Sequence, residues 1–212
     1  TVPHKEQMAT LVDVLDPLAR RIGAVNTVVV LDDGRLEGRN TDAFGFLENL
    51  RSEAATWRPD SGPAVVLGAG GAARAVAAAL QEAGAPEIRL LNRTGERAEK
   101  LAADLGKPLC VMAVGDMAMA LRDAALLVNS TSLGMTGQPP LVIDLASLPD
   151  SALVTDLVYS PLRTPLLNAA AGRGNPTVDG LGMLLHQARP GFAAWFGVTP
   201  TVTPELRAHV LA

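Results

Sequence analysis

The sequence has 212 residues, 48% of them hydrophobic and 19% charged, with a net charge of -4 and a pI near 5.4. That composition is globular, leaves room for one large or two smaller cores, and argues against a nucleic-acid polyanion as partner. The single cysteine, Cys110, excludes an internal disulfide and is expected to be a small buried hydrophobe. It fits a reducing compartment, and no apolar run approaches the roughly 20 residues of a membrane span, so no membrane partner is expected. With no signal-peptide pattern at the start, the cytoplasm is the expected location.

In chain order, Thr1-Val2-Pro3-His4-Lys5 leads into helix-like sequence over 6–22. Pro3 keeps Val2 extended, which places Lys5 near a strand-to-helix corner. Residues 23–30 and 35–42 flank Asp33-Gly34 and read as a β-hairpin. Its two strands would bring Asn26 close to Asn40-Thr41-Asp42. Asp42 also stands just ahead of a helical pattern over 44–50, where its plain alternative role is an N-cap. A polar, irregular connection covers 51–62.

The apolar run Ala64-Val65-Val66-Leu67 breaks into Gly68-Ala69-Gly70-Gly71-Ala72-Ala73 and then into an alanine-rich helical segment. Strand, tight turn and helix in that order suit a dinucleotide, whose pyrophosphate needs bare backbone amides at a helix N-terminus. Gly68 and Gly70 fill the first two places of the G-x-G-x-x-G/A fingerprint and Ala73 the third. The next strand, over 88–91, ends in Asn92-Arg93-Thr94, where an acidic residue would accept from the ribose of NAD. Here stand Arg93 and, a turn later, Arg97, and two guanidiniums suit a 2′-phosphate. The expected cofactor is therefore NADP.

Helix-like sequence over 96–105, a short apolar run over 109–111 and a second helical stretch through Leu121 come next. A strand over 125–128 ends at Asn129-Ser130-Thr131-Ser132-Leu133-Gly134-Met135, outside the carboxyl end of a strand, where open α/β sheets bind ligands. Those small polar residues suit the nicotinamide end of a cofactor or ordinary turn chemistry. A strand over 153–158 runs into Tyr159-Ser160-Pro161, a helix over 164–171 follows, and Pro176-Thr177-Val178-Asp179-Gly180 precedes a long helix over 181–196. Alternating strands and helices predict an α/β fold with a doubly wound parallel sheet. His4, His186 and His209 lack metal-ligand spacing, so no metal is expected.

Eight blocks in order, Thr1-Val2-Pro3-His4-Lys5, Gly23-Ala24-Val25-Asn26-Thr27, Gly38-Arg39-Asn40-Thr41-Asp42, Gly68-Ala69-Gly70-Gly71-Ala72, Asn92-Arg93-Thr94, the run from Asn129 to Met135, Tyr159-Ser160-Pro161 and Gly180-Leu181-Gly182-Met183-Leu184-Leu185-His186-Gln187, resemble shikimate dehydrogenase across the whole chain. The resemblance implies NADP-dependent reduction of 3-dehydroshikimate to shikimate on the route to chorismate and the aromatic amino acids. It implies Lys5 and Asp42 as the catalytic proton-handling pair, with Thr1, Asn26, Tyr159 and Gln187 joining them on the substrate's hydroxyls. Gly68, Ala69, Gly70, Gly71, Ala72, Asn92, Arg93, Thr94, Arg97, Leu157 and Gly180 would hold NADP. The implied division is a substrate-domain portion over 1–41, a Rossmann-type cofactor domain over 42–180, and helices over 181–212 that return to the substrate domain. Members begin with an α/β segment bearing two serines that grip the substrate carboxylate, and this sequence opens midway through the motif after it. An incomplete substrate domain with exposed strand edges, prone to aggregation or altered association, is the consequence expected. A homodimer is admitted, although sequence does not set the oligomeric state. Two other readings stay open, an NAD-using quinate/shikimate dehydrogenase and a catalytically silent NADP-binding module.

Overall fold

The structure is a computed structural model that describes residues 4–212. Two sheets divide the chain. The larger is six-stranded and wholly parallel, in the order β6-β5-β4-β7-β8-β9, built from β4 (Ala64–Leu67), β5 (Ile88–Leu91), β6 (Leu109–Met112), β7 (Leu126–Asn129), β8 (Leu153–Asp156) and β9 (Thr177–Val178). Beginning at β4, the order runs outward through β5 and β6, then returns across β4 to β7, β8 and β9. A crevice therefore opens beyond the carboxyl ends of β4 and β7. The four residues of β4, β5, β7 and β8 are all buried, as expected of a parallel sheet covered on both faces.

Helices α4 (Gly71–Glu82) and α5 (Gly95–Leu105) lie between the first parallel strands, and α6 (Met117–Leu121) and α7 (Pro165–Arg173) flank the later ones. The alanines of α4 are its packing device, since Ala73, Ala75, Ala77, Ala78 and Ala79 are completely buried and let the helix lie close against the sheet.

The smaller sheet has the order β1-β3-β2, from β1 (Val14–Leu15), β2 (Thr27–Val30) and β3 (Leu36–Arg39). The expected hairpin forms with β2 antiparallel to β3, and Asn26 N–H donates to the Arg39 carbonyl at 3.0 Å. The helix expected over 6–22 does not run through. It is α1 (Lys5–Leu11), then β1, then α2 (Pro17–Ile22). Pro17 lacks an N–H and can only open a helix, while the Asp16 carboxylate caps α2 by accepting from Leu18 and Ala19 N–H. The two residues of β1 pair with β3 in parallel. Two further differences are small: the strand expected over 153–158 stops at Asp156, and the pairing of Thr177 and Val178 with β8 adds a sixth strand that sequence did not suggest.

Helix α3 (Asp42–Glu53) leads out of the smaller sheet, and the long α8 (Leu181–Phe196) packs against it. Their backbones approach closely because a Cβ on Gly45 would lie 2.7 Å from the Met183 carbonyl oxygen. The Trp195 indole N–H donates to the Val28 carbonyl at 2.9 Å, tying α8 to β2. A last helix, α9 (Pro204–Leu211), is anchored by an ion pair from Arg207 to Asp179. No helix among the described residues is long and apolar enough to cross a membrane.

Cys110 is only half-buried on β6, with its thiol 3.4 Å from a Glu87 carboxylate oxygen. Burial, helped by Glu87, pushes the thiol up to about 11, so it stays protonated and unreactive at neutral pH. It is a polar contact near a sheet edge rather than the buried hydrophobe expected.

Candidate active site

Asp42 is the first residue of α3, and its N-cap neighbour is Thr41. The alternative capping role falls away because the carboxylate is committed elsewhere. Oδ2 accepts from the Lys5 ammonium at 2.5 Å, and Oδ1 accepts from the Asn26 amide at 2.8 Å. The same amide donates to Thr41 Oγ1 at 2.9 Å, and Asn26 Oδ1 accepts from the Thr41 N–H at 3.0 Å. Asn26 at the start of the hairpin thus locks the end of β3 and aims Asp42. Asp42 is 2% exposed and Lys5 23%, so the ammonium forms the accessible side of an otherwise buried pair.

That pair opens into a cleft of about 430 Å³ shared by Ala72, Leu157, Tyr159, Gly180 and Gln187, with Met183 and Leu184 as an apolar wall. Gln187 reaches it through the close α3–α8 contact, since α3 carries Asp42 and Gly45 carries the approach. Ser130, Thr131 and Ser132 line the cleft from the end of β7. Thr131 and Ser132 also line a second cleft of about 330 Å³, with Gly68, Asn92, Arg93, Thr94 and Arg97. The two clefts form one groove across the carboxyl ends of β7, β4 and β5.

The glycine loop bends in the middle of this groove. Gly68 has φ +112°, and a Cβ there would meet Ser130 Oγ at 2.7 Å, so both backbone conformation and space demand glycine. At Gly70 and Gly71 a Cβ would meet nothing within 4 Å. Those positions are open toward the unpartnered amides at the start of α4, which has no side-chain cap. An anion fits there. Arg97 also faces a third recess of about 430 Å³ with Ala69, Gly70, Arg74 and Lys100. Arg74 is already paired with Asp104 at 2.8 Å, whereas Arg93 and Arg97 have no carboxylate partner among the described residues.

Every proposed site residue from Lys5 to Gln187 thus borders this groove or adjoins a residue that does, with Asn26 standing behind Asp42 and Gly71 opening α4. Thr1 lies outside the described residues. Residues that sequence reading passed over are the apolar lining of the second cleft, Val114, Met117 and Leu141. Nothing in their local sequence separates them from core residues. Asp156, fully buried at the end of β8, was likewise read only as part of a strand. At Gly180 a Cβ would lie 2.4 Å from the Leu157 carbonyl oxygen, so the backbone contact between α8 and the β8 exit also requires glycine there. Among the described residues no group of three His, Cys, Asp or Glu could hold a metal.

His186 sits behind the site on α8, its Nε2 3.4 Å from Ser52 Oγ. Burial first, then the Arg189 guanidinium, lowers its pKa from the usual 6.5, against the pull of Glu48 and Glu53. The fold therefore favours the neutral ring. Its stabilisation is present above about 6.5 and is lost as pH falls through the lowered folded value, because the unfolded chain takes up the proton first. Urea midpoints measured across that range are expected to fall on acidification, and His186→Gln is expected to flatten the fall.

Comparison with known proteins gives the lineage. A family model described as Shikimate / quinate 5-dehydrogenase matches residues 54–146, and one described as Shikimate dehydrogenase substrate binding domain matches residues 1–28. A shikimate dehydrogenase (NADP(+)) of Paramagnetospirillum magneticum is 65% identical over 212 residues, covering 100% of this chain and 77% of the relative. One from Rhodospirillum rubrum is 60% identical, at 100% and 76% coverage. Among solved structures, the Thermus thermophilus shikimate 5-dehydrogenase in complex with NADP(H) and shikimate superposes with a TM-score of 0.84 at 42% identity, covering 99% of this chain and 75% of that one. The Corynebacterium glutamicum quinate dehydrogenase in complex with NAD has a TM-score of 0.91 at 31% identity, covering 100% and 76%. Fold, groove and kinship agree, and the chain belongs to the shikimate dehydrogenase family.

Proposed function

We propose that this protein is an oxidoreductase that reversibly reduces 3-dehydroshikimate to shikimate with NADP. The observation that carries the reading is the Lys5–Asp42 pair, set in one cleft with Tyr159 and Gln187 and continuous with the glycine loop and with Arg93 and Arg97. Relatives named as NADP(+) shikimate dehydrogenases at 65% and 60% identity support it.

When bound, NADPH supplies a hydride to the carbonyl carbon. The open glycines at the start of α4 would hold its pyrophosphate, Arg93 and Arg97 with Asn92 and Thr94 its 2′-phosphate end, and Leu157 with Gly180 the nicotinamide end. As negative charge develops on the carbonyl oxygen, the Lys5 ammonium stabilises it and delivers the proton; in the reverse direction Lys5 takes that proton back. Asp42 keeps the ammonium aimed, and Asn26 keeps Asp42 aimed. Tyr159 and Gln187 would hold substrate hydroxyls and so place the carbonyl against Lys5. Residues 1–41 with 181–212 would form the substrate side and 42–180 the cofactor side.

The reading is tested by following shikimate-dependent reduction of NADP, with NAD and quinate run in parallel. Turnover that needs both shikimate and NADP is the expected result; turnover only with quinate and NAD, or none, overturns it. The two arginines decide the cofactor. Replacing Arg93 and Arg97 together by alanine is expected to lower kcat/KM for NADP by on the order of 10²-fold while NAD moves less than about threefold, because two charge-assisted contacts serve the 2′-phosphate alone. Equal losses with both cofactors would place the arginines elsewhere.

A further inference from the structure

Asp156 closes β8 with its side chain at 0% exposure, and no ion pair engages it among the described residues. Burying a carboxyl group without a cation is costly, so its hydrogen bonds bear on why it is there. Oδ1 accepts from the Asn129 amide at 2.9 Å and from the Val158 N–H at 3.0 Å. Oδ2 accepts from the Thr164 hydroxyl at 2.7 Å. An acceptor with two oxygens can gather donors from three segments at once, which an amide cannot do without turning one of them.

The network does not stop at Asn129. That amide also donates to the Leu133 carbonyl at 3.1 Å, and Asn129 Oδ1 accepts from the Thr131 N–H at 3.0 Å and its hydroxyl at 2.7 Å. Thr131 Oγ1 then accepts from the Leu133 N–H at 3.1 Å. One carboxyl group therefore holds the turn after β7 through Asn129 and the turn after β8 through Val158. These are the two turns that bring Ser130, Thr131 and Ser132 on one side, and Leu157, Val158 and Tyr159 on the other, to the cleft of Lys5.

Resting on the function proposed above, we infer that Asp156 is a positioning residue for the reaction, a buried tie that fixes both strand-end turns at the nicotinamide and substrate end of the groove. It touches neither ligand and acts through Asn129 and Val158. Its contribution is to the placement of the reacting groups, where displacement by about 1 Å can cost on the order of 10²-fold in rate.

The test uses Asp156→Ala and Asp156→Asn, with backbone amide exchange, kcat, and affinity for adenosine 2′,5′-bisphosphate, a probe of the opposite end of the groove. In Asp156→Ala, exchange over 131–135 and 157–160 is expected to rise together by on the order of 10-fold, with the remaining sheet protected as before. kcat falls by a similar factor and probe affinity stays within about twofold. Asp156→Asn retains the oxygen that receives Asn129 and Val158 and is expected to restore kcat to within about threefold of the unaltered protein. Loosening of only one segment, or both loosened with kcat unchanged, overturns the inference. Should Asp156→Ala fail to fold, Asn129→Ala cuts the bridge while leaving Val158 and Thr164 on Asp156; unchanged kcat and unchanged exchange over 131–135 in that variant are equally fatal. The exchange measurement needs no substrate, so an unaltered protein inactive on shikimate and NADP would sink the assigned function and leave the tie to be judged separately.

Discussion

Lys5→Ala is expected to lower kcat for shikimate oxidation by on the order of 10² to 10³-fold, with NADP affinity unchanged within about twofold. The separation follows from position. Lys5 stands at the Asp42 end of the first cleft, while the glycine loop bends in the middle of the groove and the two arginines line its other end. Removal of the ammonium takes away both the charge that stabilises a developing alkoxide and the proton that ends on it. It also strands the Asp42 carboxylate, 2% exposed, with Asn26 as its remaining side-chain donor among the described residues, so some loss of stability accompanies the loss of rate. Asp42→Asn is the companion variant. It keeps the shape and removes the charge that orients Lys5, and its effect on kcat is expected to be smaller. Single-turnover rates measured with saturating cofactor separate chemistry from binding. A rate for Lys5→Ala within threefold of the parent would remove Lys5 from the proposed mechanism.

Gly180→Ala is expected to destabilise the protein by about 2–3 kcal/mol, at the upper end of ordinary overpacking, and to lower kcat/KM by on the order of 10²-fold. The backbone at Gly180 has φ -79°, which alanine adopts freely, so the cost is purely one of space. The new Cβ would lie 2.4 Å from the Leu157 carbonyl oxygen, 2.5 Å from its carbon and 2.8 Å from the Asp156 carbonyl oxygen. All three are backbone atoms at the end of β8, and no side chain can swing away to make room. Either the α8 N-terminus or the Leu157 turn must shift, and both border the cleft. Gly71 is the contrasting case on the same groove, with nothing within 4 Å of its added Cβ. Gly71→Ala is expected to keep full stability and to weaken only cofactor binding. Thermal melting of the two variants, read beside NADPH titrations, checks the distinction, and equal melting temperatures for Gly180→Ala and the parent would refute the packing argument.

Much of the cofactor side was legible because its requirements are local. A phosphate at a helix N-terminus needs glycines at set offsets after a strand, and Gly68, Gly70 and Ala73 satisfy that need within six residues. The Asn92-Arg93-Thr94 strand end is similarly self-contained. Buried parallel strands announced themselves as short apolar runs between helical patterns. The break inside 6–22 was harder to see because both halves carry helical periodicity; Pro17 and the Asp16 cap were the local signs that two elements meet there. β9 has only two residues, and its strand character comes from pairing with β8 rather than from its own side chains.

The polar site was readable as a set of residue types but not as an arrangement. The hairpin turn foretold that Asn26 and Asp42 would meet, since an Asp-Gly turn sets the register of the strands around it. No local pattern says that Asp42 gives up helix capping to hold Lys5, thirty-seven positions away, or that Gln187 arrives opposite them. That depends on α3 and α8 meeting at Gly45, a close approach that becomes visible only when both backbones are in place. Asp156 shows the same limit, for a carboxyl group at a strand end is ordinarily exposed and solvated, and nothing local marks this one for burial.

The sequence by itself determined the alternating strands and helices, the glycine loop, the two arginines after β5, and the hairpin that brings Asn26 to Asp42. Each depends on side chains close along the chain and on backbone preferences that hold in isolation. Tertiary structure alone decided which polar groups lost their water. It gave Asp42 to Lys5 and Asn26, gave Asp156 to Asn129, Val158 and Thr164, and made Gly180 a contact point between α8 and β8. Those outcomes follow from burial, because a polar group removed from solvent must find its partners among whatever distant segments the packing brings beside it.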